Sequence, residues 1–578
     1  MNKKMPEAWM TEDGYHTLKS GYLMPGEEPY DMYKRIAATA ARIKDMPELE
    51  ERLFDIMWKG WLCPASPVLA NFGTNRGLGI SCYGQQVDDS VSGIYDSLAE
   101  HGGMISKGGA TGTDWSNVRS RGSSIRNNGR SNGIVPWMKI FDSATAATDQ
   151  GDTRKGSNCA YLDIYHGDAE EFLHVREDKG DPNLLCVNTN IGYNIPDKFM
   201  EALKDPKNTW ERKMWKQILK TRFETGEPFL HFVDNTNRQN PEAYRLNNLK
   251  VKHSQLCTEI FLYTDVVHSF VCCLSSLNLF YYDQWADTDT VELALILLDA
   301  VLDDFIERGS ANPVLAKAIR GAQKGRSVGL GVLGYHSFLQ DKNIPFDSLA
   351  AAMYNRKIFK NISQQADTAS RKMAELWGEP EWCKGTGRRN AHTTAVAPTR
   401  TNAIIAGQRS FSREPWVANI FTDKNHKGVF FVKNPALKRL LEKKGLDNDD
   451  IWEDIQNNEG SVQHLACLTG EEKEIFKTAR EINQRVIIDQ AADAQLYIEQ
   501  GQSVNLYFNA DVDVKHVDEV HRRAWEKGLK SLYYCRGQAA VKADKANRKV
   551  GEALTTVNKE ASPKENNKTD SECVWCEG

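Results

Sequence analysis

The stretch Ser254-Gln-Leu-Cys-Thr-Glu-Ile260 sets an amide, a thiol and a carboxylate at alternate positions. Read as extended chain, its side chains alternate, so Gln255, Cys257 and Glu259 share one face. A carboxylate beside a reacting hydroxyl serves as general base, and an amide can hold that hydroxyl by hydrogen bonds. On its own, a cysteine in a buried strand is most often a small hydrophobe, so the triplet needs company. It follows at once in Ser269-Phe-Val-Cys-Cys-Leu-Ser-Ser-Leu-Asn-Leu279, whose adjacent Cys272 and Cys273 must point to opposite faces of a strand. Further out stand Pro64-Ala-Ser-Pro-Val-Leu-Ala-Asn71, Ile80-Ser-Cys-Tyr83, Leu532-Tyr-Tyr-Cys-Arg536 and a terminal Cys573-Val-Trp-Cys576.

Between these pieces the chain alternates in period. Thr290–Arg308, Phe346–Leu376 and Glu471–Gln500 carry apolar residues at helical spacing, whereas Ser503–Phe508 and Lys530–Cys535 read as short strands. Helices alternating with short apolar strands indicate an α/β body whose parallel strands are buried on both faces. Tyr30–Ala41 and Pro47–Lys59 are amphipathic, which makes residues 1–60 a helical N-terminal region ahead of a body over 61–535. Residues 536–578 differ, because from Arg536 to Glu572 there is no Phe, Ile or Met and Leu554 is the only Leu. Such a stretch buries too little apolar surface to order itself and reads as a flexible tail, spanning roughly 35 Å root-mean-square.

Composition narrows the function. The 578 residues carry 73 Lys+Arg against 78 Asp+Glu, a net charge of −5. That balance argues against coating a nucleic acid polymer or an anionic membrane. No apolar run approaches about 18 residues, and no apolar stretch follows the first residues, so a cytoplasmic location is expected. Twelve cysteines are dispersed along the chain, and the one Cys-x-x-Cys lies at its end. No zinc-type spacing completes it, so no metal site is expected and the pair reads as a redox dithiol; the plain alternative is a polar tail with incidental cysteines.

Taken in order, these motifs resemble the large (alpha, catalytic) subunit of class I ribonucleoside-diphosphate reductases, from about Trp61 to the C-terminus. The resemblance implies a ten-stranded α/β barrel, two five-stranded parallel sheets arranged antiparallel, with a finger loop inside. Cys257 matches the finger-loop cysteine that becomes a transient thiyl radical and takes the ribose 3′ hydrogen. Glu259 matches the carboxylate that accepts the 3′-hydroxyl proton. Cys82 and Cys272 match the pair that delivers two electrons and a proton at the 2′ position and ends as a disulfide. The aligned Leu-Ser-Ser-Leu-Asn-Leu selects Cys272 over Cys273. Tyr533 and Tyr534 match the stacked tyrosines that relay the radical from a metal-containing small subunit. Cys573 and Cys576 match the tail dithiol that re-reduces the active-site disulfide by exchange. Gln255 stands where the family usually has Asn; it keeps the amide and reaches one methylene further.

Pro398-Thr-Arg-Thr-Asn-Ala403 resembles the family's diphosphate loop, with Thr399, Arg400, Thr401 and Asn402 as contacts, and Ser66 and Ser81 match positions near ribose and phosphate. Read without the resemblance, the loop is an ordinary helix cap. Asp88-Asp-Ser-Val-Ser92 resembles the segment that holds an allosteric ATP or dNTP, through Asp89 and Ser90. Asp149–Gly156 resembles the loop that reads effector identity through Gln150 and Arg154; as plain sequence it is a polar surface loop. The implied activity reduces ribonucleoside diphosphates to 2′-deoxyribonucleoside diphosphates for DNA synthesis, with no cofactor in this chain. Implied partners are the small (beta, radical-generating) subunit, a thioredoxin- or glutaredoxin-like reductant and a second copy of the chain. The stretch before Cys63 is shorter than the ~100 residues of a small domain, so no regulatory ATP cone is expected.

Two other readings stand beside it. One is an adenosylcobalamin-dependent class II reductase, against which the tyrosine pair speaks. The other is a non-catalytic, nucleotide-regulated redox-binding protein, if Gln255 abolishes turnover. Gly329-Leu-Gly-Val-Leu-Gly334 satisfies the dinucleotide-binding pattern, but no clear apolar strand precedes it and Asp347 looks like a helix cap. These glycines are read as close helix–strand packing, and a NAD-dependent dehydrogenase is set aside.

Overall fold

The computed structural model describes residues 6, 9–148, 150, 155–177, 181–425 and 428–537. Its strands are β1 (Leu62–Pro64), β2 (Cys82–Gln86), β3 (Ala110–Asp114), β4 (Asn158–Asp163), β5 (Thr189–Ile195), β6 (Phe229–Phe232) and β7 (Phe270–Cys272). There follow β8 (Leu274–Asn278), β9 (Gly329–Leu333), β10 (Ile420–Asn425), β11 (Gly428–Lys433), β12 (Leu506–Phe508), β13 (Ser531–Leu532) and β14 (Cys535–Gly537).

Five of them, β2-β3-β4-β5-β6, pair in parallel. A second parallel set runs β8-β9, then Leu330 beside Thr394, Val396 beside Gln502, and β12-β14. The two sets meet antiparallel at both edges, β2 against β7 and β6 against β13. Because β7 runs on into β8, and β13 into β14, two chain segments belong to both sets and the ladder closes on itself. This is the ten-stranded barrel of two antiparallel five-stranded sheets. Closure pairs the edges of the two parallel sets with each other, and helices cover the outside, which is why the barrel strands read as nearly continuous buried runs.

The periodic segments form where their spacing predicts: helices span Pro29–Lys44, Leu49–Trp58, Thr290–Gly309 and Leu349–Trp377. The expected helix over 471–500 is interrupted; helices cover only Gly470–Ile475 and Gln484–Gln495, and Asn483 caps the second through its side chain. The glycine run of 329–334 is also corrected. Its first five residues are strand β9 itself, and Gly334, at φ +80°, caps the next helix. Gly331 allows a close approach of the neighbouring chain, since a Cβ on it would stand 2.4 Å from the Ala395 carbonyl oxygen. The N-terminal helices are clamped to the barrel's outer layer by a buried ionic knot. Lys44 reaches Asp299 at 2.5 Å and Asp303 at 2.6 Å, and Arg326 closes on the same two carboxylates. Among the described residues no helix is long and apolar enough to cross a membrane.

Candidate active site

Between the helix Glu242–Leu246 and β7 the chain enters the barrel as a loop, with no strand around Cys257. The extended reading of 254–260 is therefore wrong locally: Thr258 has φ +63°, and the loop turns at its tip. Gln255 and Glu259 still meet, but across that turn. Gln255 Nε2 donates to Glu259 Oε2 at 2.5 Å, and Gln255 Oε1 accepts from the Cys257 backbone N–H at 2.8 Å. Glutamine's longer side chain thus folds back and braces the loop that carries the thiol.

Both halves of the barrel hold this loop. Tyr161 on β4 donates to the Gln255 carbonyl at 2.7 Å, Ser503 to the Cys257 carbonyl at 2.5 Å, and Ser531 on β13 to the Thr258 carbonyl at 2.8 Å. Gly112 on β3 makes room for it, because a Cβ there would lie 2.2 Å from the Ser254 carbonyl oxygen. These anchors lay hidden in the sequence, since nothing about an isolated Ser, Tyr or Gly announces a long-range partner.

Glu259 is fully buried, and burial pushes its carboxyl up to about 8, against the opposing pull of the Ser503 and Gln255 hydrogen bonds. Its Oε1 finds no hydrogen-bond partner among the described residues. A carboxylate destabilised in this way is a stronger base than an exposed one.

Cys82 and Cys272 are direct cross-strand partners at the β2–β7 seam. Opposed antiparallel residues stand about 4.5–5.5 Å apart at Cα, within the range a disulfide accepts. Both are present as thiols. The neighbouring thiols diverge as strand alternation requires: Cys273 Sγ donates outward to the Leu298 carbonyl at 3.2 Å, whereas Cys272 Sγ accepts from Gln500 Nε2 at 3.6 Å. Burial holds the Cys272 thiol well above the usual range.

Tyr533 and Tyr534 occupy the break between β13 and β14, in one buried cluster with Cys257, Leu256, Tyr161, Cys159 and Phe229. Their ring centroids are 4.5 Å apart, but the planes are inclined by 56°, so the pair is tilted and not stacked as expected.

A second group of polar atoms gathers beside the cysteine seam. Pro64 lies opposite Ser275, and Asn402 Nδ2 donates to the Pro64 carbonyl at 3.1 Å. Around them Ser66 Oγ, Ser81 Oγ, Ser275 Oγ and Asn402 Oδ1 are all buried without a hydrogen-bond partner among the described residues. Orphaned buried polar atoms are costly, and four of them near the cysteine seam make this neighbourhood a candidate for a polar ligand. Thr401 is buried in the first turn of the short helix Arg400–Ile405, and Arg400 begins that turn. Thr399 sits at φ +55°, and its hydroxyl accepts from the Ser412 N–H at 2.7 Å, a structural use the sequence did not reveal.

Of the expected effector residues, Asp89, Ser90 and Gln150 lie in segments between the barrel strands. Asp89 is held by Arg119 through its side chain at 2.9 Å, and Ser90 caps the helix Val91–Ile105 by accepting from Gly93 N–H. Gln150 pairs with Asn71, donating from Nε2 to Oδ1 at 2.8 Å, at the far end of the helix Ser66–Asn71 that begins with Ser66. Arg154, Cys573 and Cys576 lie outside the described residues. Among the described residues no group of three or more His, Cys, Asp or Glu is placed to hold a metal ion.

Comparisons with known proteins agree with this geometry. Residues 9–77 match the ribonucleotide reductase all-alpha domain, and residues 80–211, 207–386 and 380–535 match the ribonucleotide reductase barrel domain. The chain is 36% identical to the ribonucleoside-diphosphate reductase large subunit of Invertebrate iridescent virus 3, covering 98% of each chain. It is 38% identical to the putative ribonucleoside-diphosphate reductase large subunit of Frog virus 3, over 92% of this chain and 93% of that one. Among solved structures it resembles the class Id ribonucleotide reductase alpha subunit of Actinobacillus ureae, with a TM-score of 0.85 and 39% identity over 92% of this chain and 97% of the other. A closed ten-stranded barrel around a cysteine-tipped loop, matched in sequence along nearly its whole described length, places this chain in the class I ribonucleotide reductase large-subunit family.

Proposed function

We propose that this chain reduces ribonucleoside diphosphates to their 2′-deoxy forms, with the radical formed on Cys257. The observation that carries the reading is the direct opposition of Cys82 and Cys272 in the barrel wall that surrounds the Cys257 loop. A thiyl radical on Cys257 takes the 3′ hydrogen, and Glu259 in its ionised form, bearing an unpartnered oxygen, accepts the 3′-hydroxyl proton. Cys82 and Cys272 supply two electrons and two protons, one proton leaving with the 2′-hydroxyl as water and the other going to the 2′ carbon. The two sulfurs join, Cys257 returns its hydrogen atom to the 3′ carbon and is again a thiyl radical, and Glu259 returns the proton to the 3′ oxygen. Cys573 and Cys576 then reopen that disulfide by exchange, and a thioredoxin- or glutaredoxin-like protein restores the tail.

Ser66, Ser81, Thr401 and Asn402 receive the ribose and diphosphate, supported by the orphaned oxygens of Ser66, Ser81 and Asn402. Arg400 and the Thr399 backbone complete that loop. The radical reaches Cys257 through Tyr534 and Tyr533 from a metal-containing small subunit. An effector ATP or dNTP binds around Asp89, Ser90 and Arg119, and its identity is read by Gln150 and Arg154. Effector binding favours a homodimer through the helix Val91–Ile105, which exposes Val91 and Tyr95. The family relationship does not favour the class II alternative.

The test is turnover of a labelled ribonucleoside diphosphate by this chain with its small subunit. Deoxynucleotide formation that disappears in Cys257→Ser, while nucleotide binding persists, is the expected result. Turnover by the serine variant, whose O–H bond is too strong to yield to a tyrosyl radical, would sink the mechanism.

A further inference from the structure

We propose that Asn190 and Glu227 are positioning residues for Tyr534, holding the phenolic oxygen of the outer relay tyrosine through a hydrogen-bonded chain that starts at a buried carboxylate. The proposal rests on the radical-relay reading of Tyr533 and Tyr534. One amide makes the link: Asn190 Nδ2 donates to Glu227 Oε1 at 2.5 Å and to the Tyr534 hydroxyl oxygen at 3.1 Å. Its two hydrogens are thereby both used.

Glu227 is itself fixed. It is 2% exposed, its Oε2 accepts from the Ile191 N–H at 3.0 Å, and Arg176 approaches Oε1 at 3.3 Å. The same corner shapes the ring's seat. Gly226, at φ +90°, accepts from the Cys535 N–H at 3.0 Å, and a Cβ on it would stand 3.1 Å from the Tyr534 ring. Arg536 covers the ring with its guanidinium 4.2 Å from the centroid. Apolar contact with Phe229 and Tyr533 fixes the plane of a ring poorly, whereas a hydrogen bond at its far end removes the remaining swing.

The hop served is a hydrogen-atom transfer. The Tyr534 phenoxyl oxygen takes the hydrogen atom of the Tyr533 O–H, leaving Tyr534 a phenol and Tyr533 a phenoxyl radical. Tyr533 then takes the hydrogen atom of the Cys257 S–H, and the radical rests on sulfur. A phenolic oxygen has two acceptor positions, so accepting from Asn190 is compatible with taking the hydrogen from Tyr533. The plainer role for the pair is to tie β5 to the turn before β6.

The experiment uses the full chain with its small subunit and compares Asn190→Ala, Asn190→Asp, Glu227→Gln and Tyr534→Phe. Loss of one buried hydrogen bond predicts a fall in kcat of about 10- to 100-fold in Asn190→Ala, with KM within about twofold. In Asn190→Asp two carboxyls share one site and keep a proton between them, so the donor to Tyr534 returns as pH falls. Its kcat should rise toward acid with an inflection absent from the wild type, which a merely structural tie would not produce. Glu227→Gln, which keeps the shape, should lower kcat in the same direction. With 3-aminotyrosine at position 534 to trap the radical, its largest g value should increase when Asn190 is removed, as a hydrogen bond to the phenoxyl oxygen is lost. Wild-type kcat and an unchanged g value in Asn190→Ala, or a pH-independent loss in Asn190→Asp, would overturn the proposal. Full turnover by Tyr534→Phe would instead remove the relay reading beneath it.

Discussion

Gly112→Ala isolates how tightly the barrel wall fixes the loop that carries Cys257. An added Cβ would stand 2.2 Å from the Ser254 carbonyl oxygen and 2.5 Å from Gln255 Cα. Carbon atoms rest comfortably at about 3.5–4.0 Å, so wall and loop must separate by about 1 Å. Both neighbours are backbone, and no flexible side chain can yield in their place. The loop cannot slide away intact, because Tyr161, Ser503 and Ser531 pin its carbonyls from both halves of the barrel. Overpacking of this kind costs about 1–3 kcal/mol of stability, which a chain of this size should survive. Cys257 moves with Gln255, whose side chain holds its N–H, and a displacement near 1 Å at a reacting centre costs about 100-fold in rate. The assay is steady-state deoxynucleotide formation at saturating small subunit, with a thermal melt of the same preparation. Gly470→Ala, where an added Cβ meets nothing within 4 Å, is the control and should keep full activity. A Gly112→Ala enzyme that is folded and turns over at the wild-type rate would refute the claim that the wall sets the position of Cys257.

Other outcomes follow from the same geometry. Folded Glu259 keeps its proton up to about 8, whereas the unfolded chain releases it near 4.5. The folded state therefore binds more protons in between, and stability should fall as pH rises through that window, by at most about 5 kcal/mol. Glu259→Gln should remove this decline in substrate-free protein, and denaturant midpoints at pH 5.5 and 8.5 that fall equally in both proteins would contradict it. Cys573→Ser with Cys576→Ser should permit one turnover but stop cycling on a protein reductant, with partial rescue by a small dithiol; normal cycling would exclude the tail as shuttle. Gln150→Ala removes the side chain paired with Asn71 and should flatten the response of substrate ratios to dATP and dTTP. Ratios that still shift as in the wild type would move effector reading elsewhere.

Much of the architecture was legible because it depends on local periodicity. The helices at 29–44, 290–309 and 349–377 announce themselves by apolar spacing, and the short strands by what lies between them. Two misreadings share a cause. The Cys257 segment and the run 471–500 have the right alternation or helical spacing, but positive φ at Thr258 and a helix restart at Asn483 are set by packing, which periodicity does not encode. The glycines of 329–334 mislead for the converse reason, since a motif of small residues states that something approaches closely without saying what.

The sequence by itself determined the α/β class, the order of the motifs and the residue types available for thiol, carboxylate and phenol chemistry, because side-chain identity and local spacing are properties of the chain alone. Only the tertiary structure decided that Cys82 faces Cys272 across 190 residues of sequence, that Cys273 turns away toward Leu298, and that Asp89 already holds Arg119. It also decided that Gln255 folds back to brace the loop instead of projecting forward. The physical reason is closure: a barrel joins strands far apart in sequence, so the partner of each inward side chain is set by register around the ring, and no local rule contains that information.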